Sequence, residues 1–313
     1  MTDAARIAWV AADPASVRVL ELARKVANAP STVLITGESG TGKDQLARLI
    51  HDLGPRRDAP FLKIDCAGLP AELVESELFG HERGAFTGAV ERKQGRLEMA
   101  RGGTIVLDEV AVLAPAVQSK LLRVLEERSF ERLGGTETLK IDARLIALTN
   151  ADLAQAVAAG RFREDLYFRL NVVTIAVPPL RARAKDIVPL AEHLLARLAA
   201  VHGRTNAKLS DAARRALEAY PWPGNVRELK NAIERALVFG KGAEIALSDL
   251  PAAVQAAAGA GGATAGLRSL EEVERDVIRQ TLEATRYKIG RAAEILGITR
   301  KTLLEKRKKY GLD

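Results

Sequence analysis

One cysteine, Cys66, occurs in 313 residues. A lone thiol excludes an intramolecular disulfide and any cysteine-built zinc site, fits a reducing compartment, and reads as a small buried apolar residue. No run of about 18 apolar residues is present to span a bilayer. The opening MTDAARIAWVAADPAS also lacks the basic stretch and apolar core of a secretory leader. These absences predict a cytoplasmic protein with no membrane partner. His51 and His81 have no second ligand at zinc spacing, so they read as ordinary helix and loop residues. Large apolar groups are scarce again in residues 252–266, AAVQAAAGAGGATAG, which predicts a flexible Ala/Gly-rich linker.

What is present is an ordinary globular composition, 47% hydrophobic and 28% charged, on a chain long enough for two or three domains. The formal charge of +7 is unevenly placed: residues 286–313 hold nine Lys and Arg against three acids. A basic terminal module is the electrostatic footprint of a nucleic-acid binder, although a solvated helix face carries such charge too. Residues 33–37, 61–64, 104–107, 144–148 and 172–177 are short apolar runs rich in β-branched residues and read as buried strands. Helical periodicity lies between them, as in Asp44 to Leu53 and Val117 to Glu127, so the pattern predicts an α/β fold with a parallel sheet covered by helices on both faces. Helices then follow one another over Asp186 to Val201, Ser210 to Ala219 and Asn225 to Val238, with Ser210 and Asn225 as expected N-caps, which predicts a small helical lid.

GESGTGK, Gly37, Glu38, Ser39, Gly40, Thr41, Gly42 and Lys43, directly follows the strand VLIT and precedes a helix. Glycines there let backbone N–H groups turn around phosphate oxygens, and Lys43 reaches the β and γ phosphates of ATP. The next position, where a Ser or Thr hydroxyl usually meets magnesium, is Asp44. In TIVLDEV an apolar strand ends in two carboxylates. Asp108 is placed to hold Mg2+, and Glu109 to orient or deprotonate the attacking water.

ESELFGHERGAFTGA, Glu75 to Ala89, carries a resemblance to the bacterial enhancer-binding proteins, AAA+ activators of RNA polymerase bearing sigma-54. The similarity runs from about Val19 to the end of the lid, and a Fis-like tail completes it. It implies that Gly84, Ala85, Phe86, Thr87, Gly88 and Ala89 form the loop that contacts the sigma factor. Physically, the two glycines flank an exposed Phe86 and Thr87, which suits a mobile, aromatic-tipped contact. The resemblance further implies that Arg163 and Arg169 are arginine fingers serving a neighbouring subunit, which requires a homo-oligomer, dimer to hexamer. Intramolecular pairing of these arginines with Glu164 or Asp165 is the alternative. Asn150, with Thr149 beside it, matches the first sensor residue, and Arg227 the second. Asp65 stands where many relatives carry an asparagine that restrains the catalytic glutamate; facing Glu109 it would add like-charge repulsion.

In KIGRAAEILGITRKTLLEKRKKYGL the small pair Ala292 and Ala293, Gly297 at the turn and Thr299 as a cap form a helix-turn-helix pattern. Arg300, Lys301 and Thr302 open the second helix, where side chains reach base edges of double-stranded DNA, with Arg291 and Lys306 alongside. Lys306, Arg307, Lys308 and Lys309 suit phosphates. Leu270, Val273 and Val277 on the preceding helix are placed to pair two copies. The expected boundaries are 1–178 for the AAA+ ATPase subdomain, 179–251 for the lid, 252–268 for the linker and 269–313 for the helix-turn-helix. Fewer than about 20 residues precede the ATPase in this sequence, too few for a sensor domain, so the expectation is restraint by a separate protein, control by expression level, or a chain that is a fragment of a longer one. The expected function is an ATP-driven, sigma-54-dependent activator that binds an upstream DNA element and remodels the polymerase holoenzyme. A DNA-binding regulator with an inactive ATPase and a general AAA+ remodeller with a DNA-binding tail are the rivals.

Overall fold

The computed structural model describes residues 9–204, 207–240, 242, 244–260, 270–285 and 287–312. They divide into two units between Ala258 and Gly259. In the first, strands β1 (Val33–Thr36), β2 (Phe61–Asp65), β3 (Thr104–Asp108), β4 (Arg144–Thr149) and β5 (Val173–Ala176) form one sheet. Its order is β2-β3-β4-β1-β5, and every pairing is parallel. That order accounts for the sequence of each strand. The central β3, β4 and β1 are buried almost throughout and read as unbroken apolar runs, while the edge strands β2 and β5 are partly exposed.

Helices α1 (Pro14–Ala27) and α2 (Lys43–Leu53) cover one face, where Val19, Leu46 and Ile50 meet Ile35 and Ile146. Asp13 caps α1 by accepting from Ala15 N–H, and Pro14 follows at the first position, where its missing N–H costs nothing. On the other face α3 (Ala71–Phe79), α4 (Pro115–Glu127) and α5 (Glu164–Leu170) bury Leu78, Leu121 and Leu166 against Leu107 and Leu145. Both faces are therefore covered, as the alternation of strands and helices predicts.

The lid follows as α6 (Ile187–Val201), α7 (Asp211–Ala219) and α8 (Asn225–Phe239), around a core containing the fully buried Trp222. Its indole N–H donates to the Leu217 carbonyl at 2.8 Å. Ser210 caps α7 as expected, accepting from Ala213 N–H. Asn225 does not cap α8: it is the first helical residue, at φ +52°, and its side chain is engaged elsewhere. Glu228 instead accepts from Gly224 N–H at 2.8 Å.

The expected linker needs correction over its first half. Ala252–Ala260 is a helix, α9. Alanine has the highest helix propensity of any residue, Pro251 stands at the entry, and Val254 is buried in the lid core. Residues 261–268 of that expected linker lie outside the described residues. The second unit holds α10 (Leu270–Ala284), α11 (Ile289–Ile295) and α12 (Arg300–Tyr310) around Ile278, Leu282, Ala292, Ala293 and Leu303. Gly297 makes the turn at φ +65°, and Thr299 caps α12 through Thr302 N–H at 3.1 Å.

Candidate functional site

Parallel strands end on one edge of the sheet, and the register sets Asp65 beside Asp108 and Thr36 beside Thr149. Gly37, Asp108, Glu109 and Asn150 consequently gather at that edge. The loop from β1 to α2 turns through Gly40 and Gly42, at φ +77° and +101°. A Cβ on Gly40 would stand 2.6 Å from the Gly224 carbonyl oxygen, so only glycine fits between loop and lid. Lys43 opens α2 and is folded back, its Nζ donating to the carbonyls of Gly37 at 2.7 Å and Glu38 at 3.2 Å. It lies 4.0 Å from Glu109 Oε1. Burial lowers the Lys43 pKa, opposed by the carboxylates of Glu109, Asp108 and Asp44.

Glu109 sits in left-handed backbone, φ 53° and ψ 51°, a conformation that costs a non-glycine residue about 1 kcal/mol or more and is typical of functional sites. Its Oε2 accepts from Asn150 N–H at 3.0 Å, which joins the end of β4 to the end of β3. Asp65 does not take up the expected position facing Glu109. Its Oδ1 accepts from the N–H groups of Ala67 and Gly68, at 3.0 and 3.1 Å, and closes its own turn. Asp44 and Asp108 share a cation that the motif reading missed: Lys63 Nζ lies 2.5 Å from Asp44 Oδ1 and 2.7 Å from Asp108 Oδ2. Burial pulls the Lys63 pKa down, but its hydrogen bonds to Asp108 and Asp44 outweigh that and raise it overall.

The lid reaches the same loop. Arg227 Nη1 donates to Ser39 Oγ at 2.8 Å, and Val226 N–H to the Gly40 carbonyl at 2.9 Å. Asn225 donates to Glu38 Oε2 and the Ser39 carbonyl, both at 3.1 Å, while its Oδ1 accepts from Leu180 N–H. Arg181 grips Glu38 with two hydrogen bonds of 2.8 and 2.5 Å. Hydrogen bonding to Arg181, then to Asn225, lowers the Glu38 pKa to about 2. Arg183 donates to the Thr41 carbonyl at 2.6 Å. Asp186, fully buried, accepts from Ala12 and Asp13 N–H at 2.7 Å each and from Ser16 Oγ. Arg181, Arg183, Asp186 and the Asn225 contacts lie outside the motifs. The Arg-x-Arg spacing after PPL was a possible signal, but the partners stand about 140 or more residues away.

Arg163 pairs with Asp165 at 2.7 Å, the intramolecular alternative, and Arg169 with Glu126 at 3.2 Å. Both arginines remain about half exposed on α5 and near its start. The Gly84–Ala89 loop is closed by Gly84 N–H on the Ala89 carbonyl at 2.8 Å, with positive φ at Gly84 and Gly88. Phe86 is 42% exposed, its ring edge-on to His81 at 4.9 Å, and Thr87 is exposed. The loop rests on the hairpin Ser129–Glu131 and Thr138–Lys140: Glu82 N–H donates to the Leu133 carbonyl, and buried Arg132 pairs with Glu82, Glu98 and Glu137.

In the second unit Arg291, Thr299, Arg300 and Lys301 are exposed, and Thr302 is half-buried beside the Thr299 hydroxyl. Lys306 is less free than expected, since Glu274 holds its Nζ at 2.6 Å; Glu271 holds Lys309 at the same distance. Val277 is 46% exposed, whereas the side chains of Leu270 and Val273 lie outside the described residues.

No group of three or more His, Cys, Asp or Glu able to hold a metal is found among the described residues. Two carboxylates already sharing an ammonium do accommodate a cation, and magnesium beside a triphosphate needs only one or two. Among the described residues no helix is long and apolar enough to cross a membrane.

Comparison with known proteins agrees along the chain. Residues 9–176 match the sigma-54 interaction domain, 181–266 the AAA+ ATPase lid domain and 269–310 the bacterial regulatory proteins of the Fis family. Regulatory protein AtoC of Escherichia coli K12 is 46% identical over 96% of this chain and 67% of its own length. The Nif-specific regulatory protein of Azospirillum lipoferum is 55% identical over 72% of this chain and 36% of its own. NtrX of Brucella abortus with ADP superimposes at a TM-score of 0.75, with 33% identity over 99% of this chain and 71% of NtrX. NtrX with ATP gives 0.72, with 36% identity over 98% and 70%. The chain belongs to the sigma-54-dependent transcriptional activators, AAA+ ATPases with a Fis-type DNA-binding helix-turn-helix.

Proposed function

We propose that copies of this chain assemble into a ring, hydrolyse ATP at the sheet edge, and use the Gly84–Ala89 loop to remodel the closed complex of sigma-54 RNA polymerase. The helix-turn-helix docks the assembly on an upstream DNA element, and the work is done in the cytoplasm. The observation that carries this reading is the convergence of Lys43, Asp108, Glu109 and Asn150 at one edge, with Arg227 reaching the same loop from the lid.

In this reading Lys43 leaves the Gly37 carbonyl for the β and γ phosphates. Glu109, oriented by Asn150 N–H, takes the proton of the water that attacks the γ-phosphorus, and ADP departs. Asp108, with Asp44 beside it, holds magnesium, which supplies charge neutralisation at the phosphate oxygens. Arg163 and Arg169 exchange Asp165 and Glu126 for the nucleotide of the neighbouring copy. The NtrX structures with ADP and ATP support a nucleotide at this fold.

Phosphate release and open-complex formation on a sigma-54 promoter, measured together, test the reading. Lys43→Ala is expected to lose both. Phe86→Ala is expected to hydrolyse ATP but form no open complexes. A wild-type chain that binds DNA yet releases no phosphate would instead favour the DNA-binding regulator, and activation unimpaired by Phe86→Ala would remove the loop from the mechanism.

A further inference from the structure

P-loop nucleotidases hold magnesium from two places: the hydroxyl that follows the loop lysine and the aspartate that ends the neighbouring strand. Here the first place carries the carboxylate of Asp44, so the pair has one negative charge more than the usual arrangement. Lys63 meets that excess. It lies on β2 opposite Val106, two residues before Asp65, and so shares the sheet face of Asp108. From there it reaches α2, and its ammonium spans both positions, at 2.5 Å from Asp44 and 2.7 Å from Asp108. Asp108 is only 16% exposed, so a like charge beside it is poorly screened by water.

We propose that Lys63 is a positioning residue that acts as a tethered counter-cation, bridging Asp44 and Asp108 until a magnesium ion arriving with nucleotide displaces it. The inference rests on reading Gly37–Lys43 as the nucleotide site. A single charge on a flexible stem neutralises the pair without matching a divalent ion, so Lys63 competes with magnesium while shielding the phosphates from the carboxylates. Its removal therefore has two effects of opposite sign. Magnesium binds more readily to an unshielded pair, and nucleotide without magnesium binds less well.

Binding of a fluorescent ATP analogue to the full chain at constant ionic strength tests this, first with EDTA and then as a magnesium titration at fixed nucleotide. Lys63→Met is expected to lower the half-saturating magnesium concentration about tenfold, and to weaken metal-free nucleotide binding by a similar factor, the scale of one charge at a half-exposed site. Lys63→Arg keeps the charge and is expected to stay near wild type in both. Asp44→Asn, the reverse change, is expected to raise the magnesium requirement and tighten metal-free binding. Melting curves without nucleotide identify any variant that fails to fold, and Lys63→Gln, of similar length and no charge, then takes the place of Lys63→Met with the same expected outcome. Superimposed titrations, or both quantities moving in the same direction, overturn the proposal while leaving the nucleotide site intact. A wild-type chain that binds no nucleotide overturns the site reading and this inference with it.

Discussion

Glu109 joins a strained backbone to an ordered carboxylate, and the two observations have one explanation. Left-handed φ and ψ turn the side chain out of the β3 direction, where Asn150 N–H holds one oxygen and Lys43 stands 4.0 Å from the other. A carboxylate fixed in this way orients water without having to reorganise first. Glu109→Gln keeps the acceptor oxygen and the shape but loses the base. ATP turnover is expected to fall by about 10²–10⁴, while nucleotide affinity changes little. Steady-state phosphate release beside equilibrium nucleotide binding measures both, and a parallel loss of affinity would make Glu109 a binding residue. Such residues were legible in the sequence because they lie beside one another in it: GESGTGK and LDE are each continuous. Lys63 and Arg181 were not, since strand register and lid folding bring their partners into reach only in three dimensions.

Elements rather than residues were read with little error where burial sets the pattern. All five strands of the sheet were legible as apolar runs because helices cover both of its faces. Residues 252–260 of the expected linker are a helix because alanine, small enough to suggest disorder, favours helix when a single valine finds a core. Two contacts between elements lead to predictions. The first joins the phosphate loop to the lid through Glu38. Its folded pKa, about 2, lies below the ordinary 4.5, so the carboxylate stabilises the fold above that ordinary value and loses its effect as pH falls through about 2. Acid unfolding of wild type and Glu38→Gln is expected to differ by a constant amount above about pH 5, the gap closing between about 4.5 and about 2. A gap that persists at the acid end would assign the effect to shape rather than charge. The second contact joins hairpin and loop through Arg132, whose side chain is 2% exposed among three carboxylates. Arg132→Met strands Glu98 and Glu82. It is expected to cost about 2 kcal/mol, less than a fully buried pair because Glu82 and Glu137 reach water. A melting temperature lower by about 5 °C is the corresponding readout.

At the scale of the whole molecule, a single chain holds the parts of a nucleotide site but turns two of its arginines outward. Arg163 and Arg169 are paired with Asp165 and Glu126 at a surface that reaches water, by contacts too exposed to hold strongly against a phosphate. A head-to-tail ring would bring this surface to the next copy's phosphate loop, and each active seam would then need Glu109 from one copy and Arg169 from its neighbour. That geometry allows a complementation experiment. Arg169→Ala alone is expected to lose about 10³ in turnover, and Glu109→Gln alone about 10²–10⁴ for the reason given above. Mixed in equal amounts, the two impaired proteins form some seams that pair an intact Glu109 with an intact Arg169. Random assembly makes these about one seam in four, so roughly a quarter of wild-type turnover should return if seams fire independently. Recovery far below this means that neighbouring seams must fire together. No recovery, in mixtures that light scattering shows to be assembled, means that Arg169 acts on the nucleotide of its own chain rather than its neighbour's.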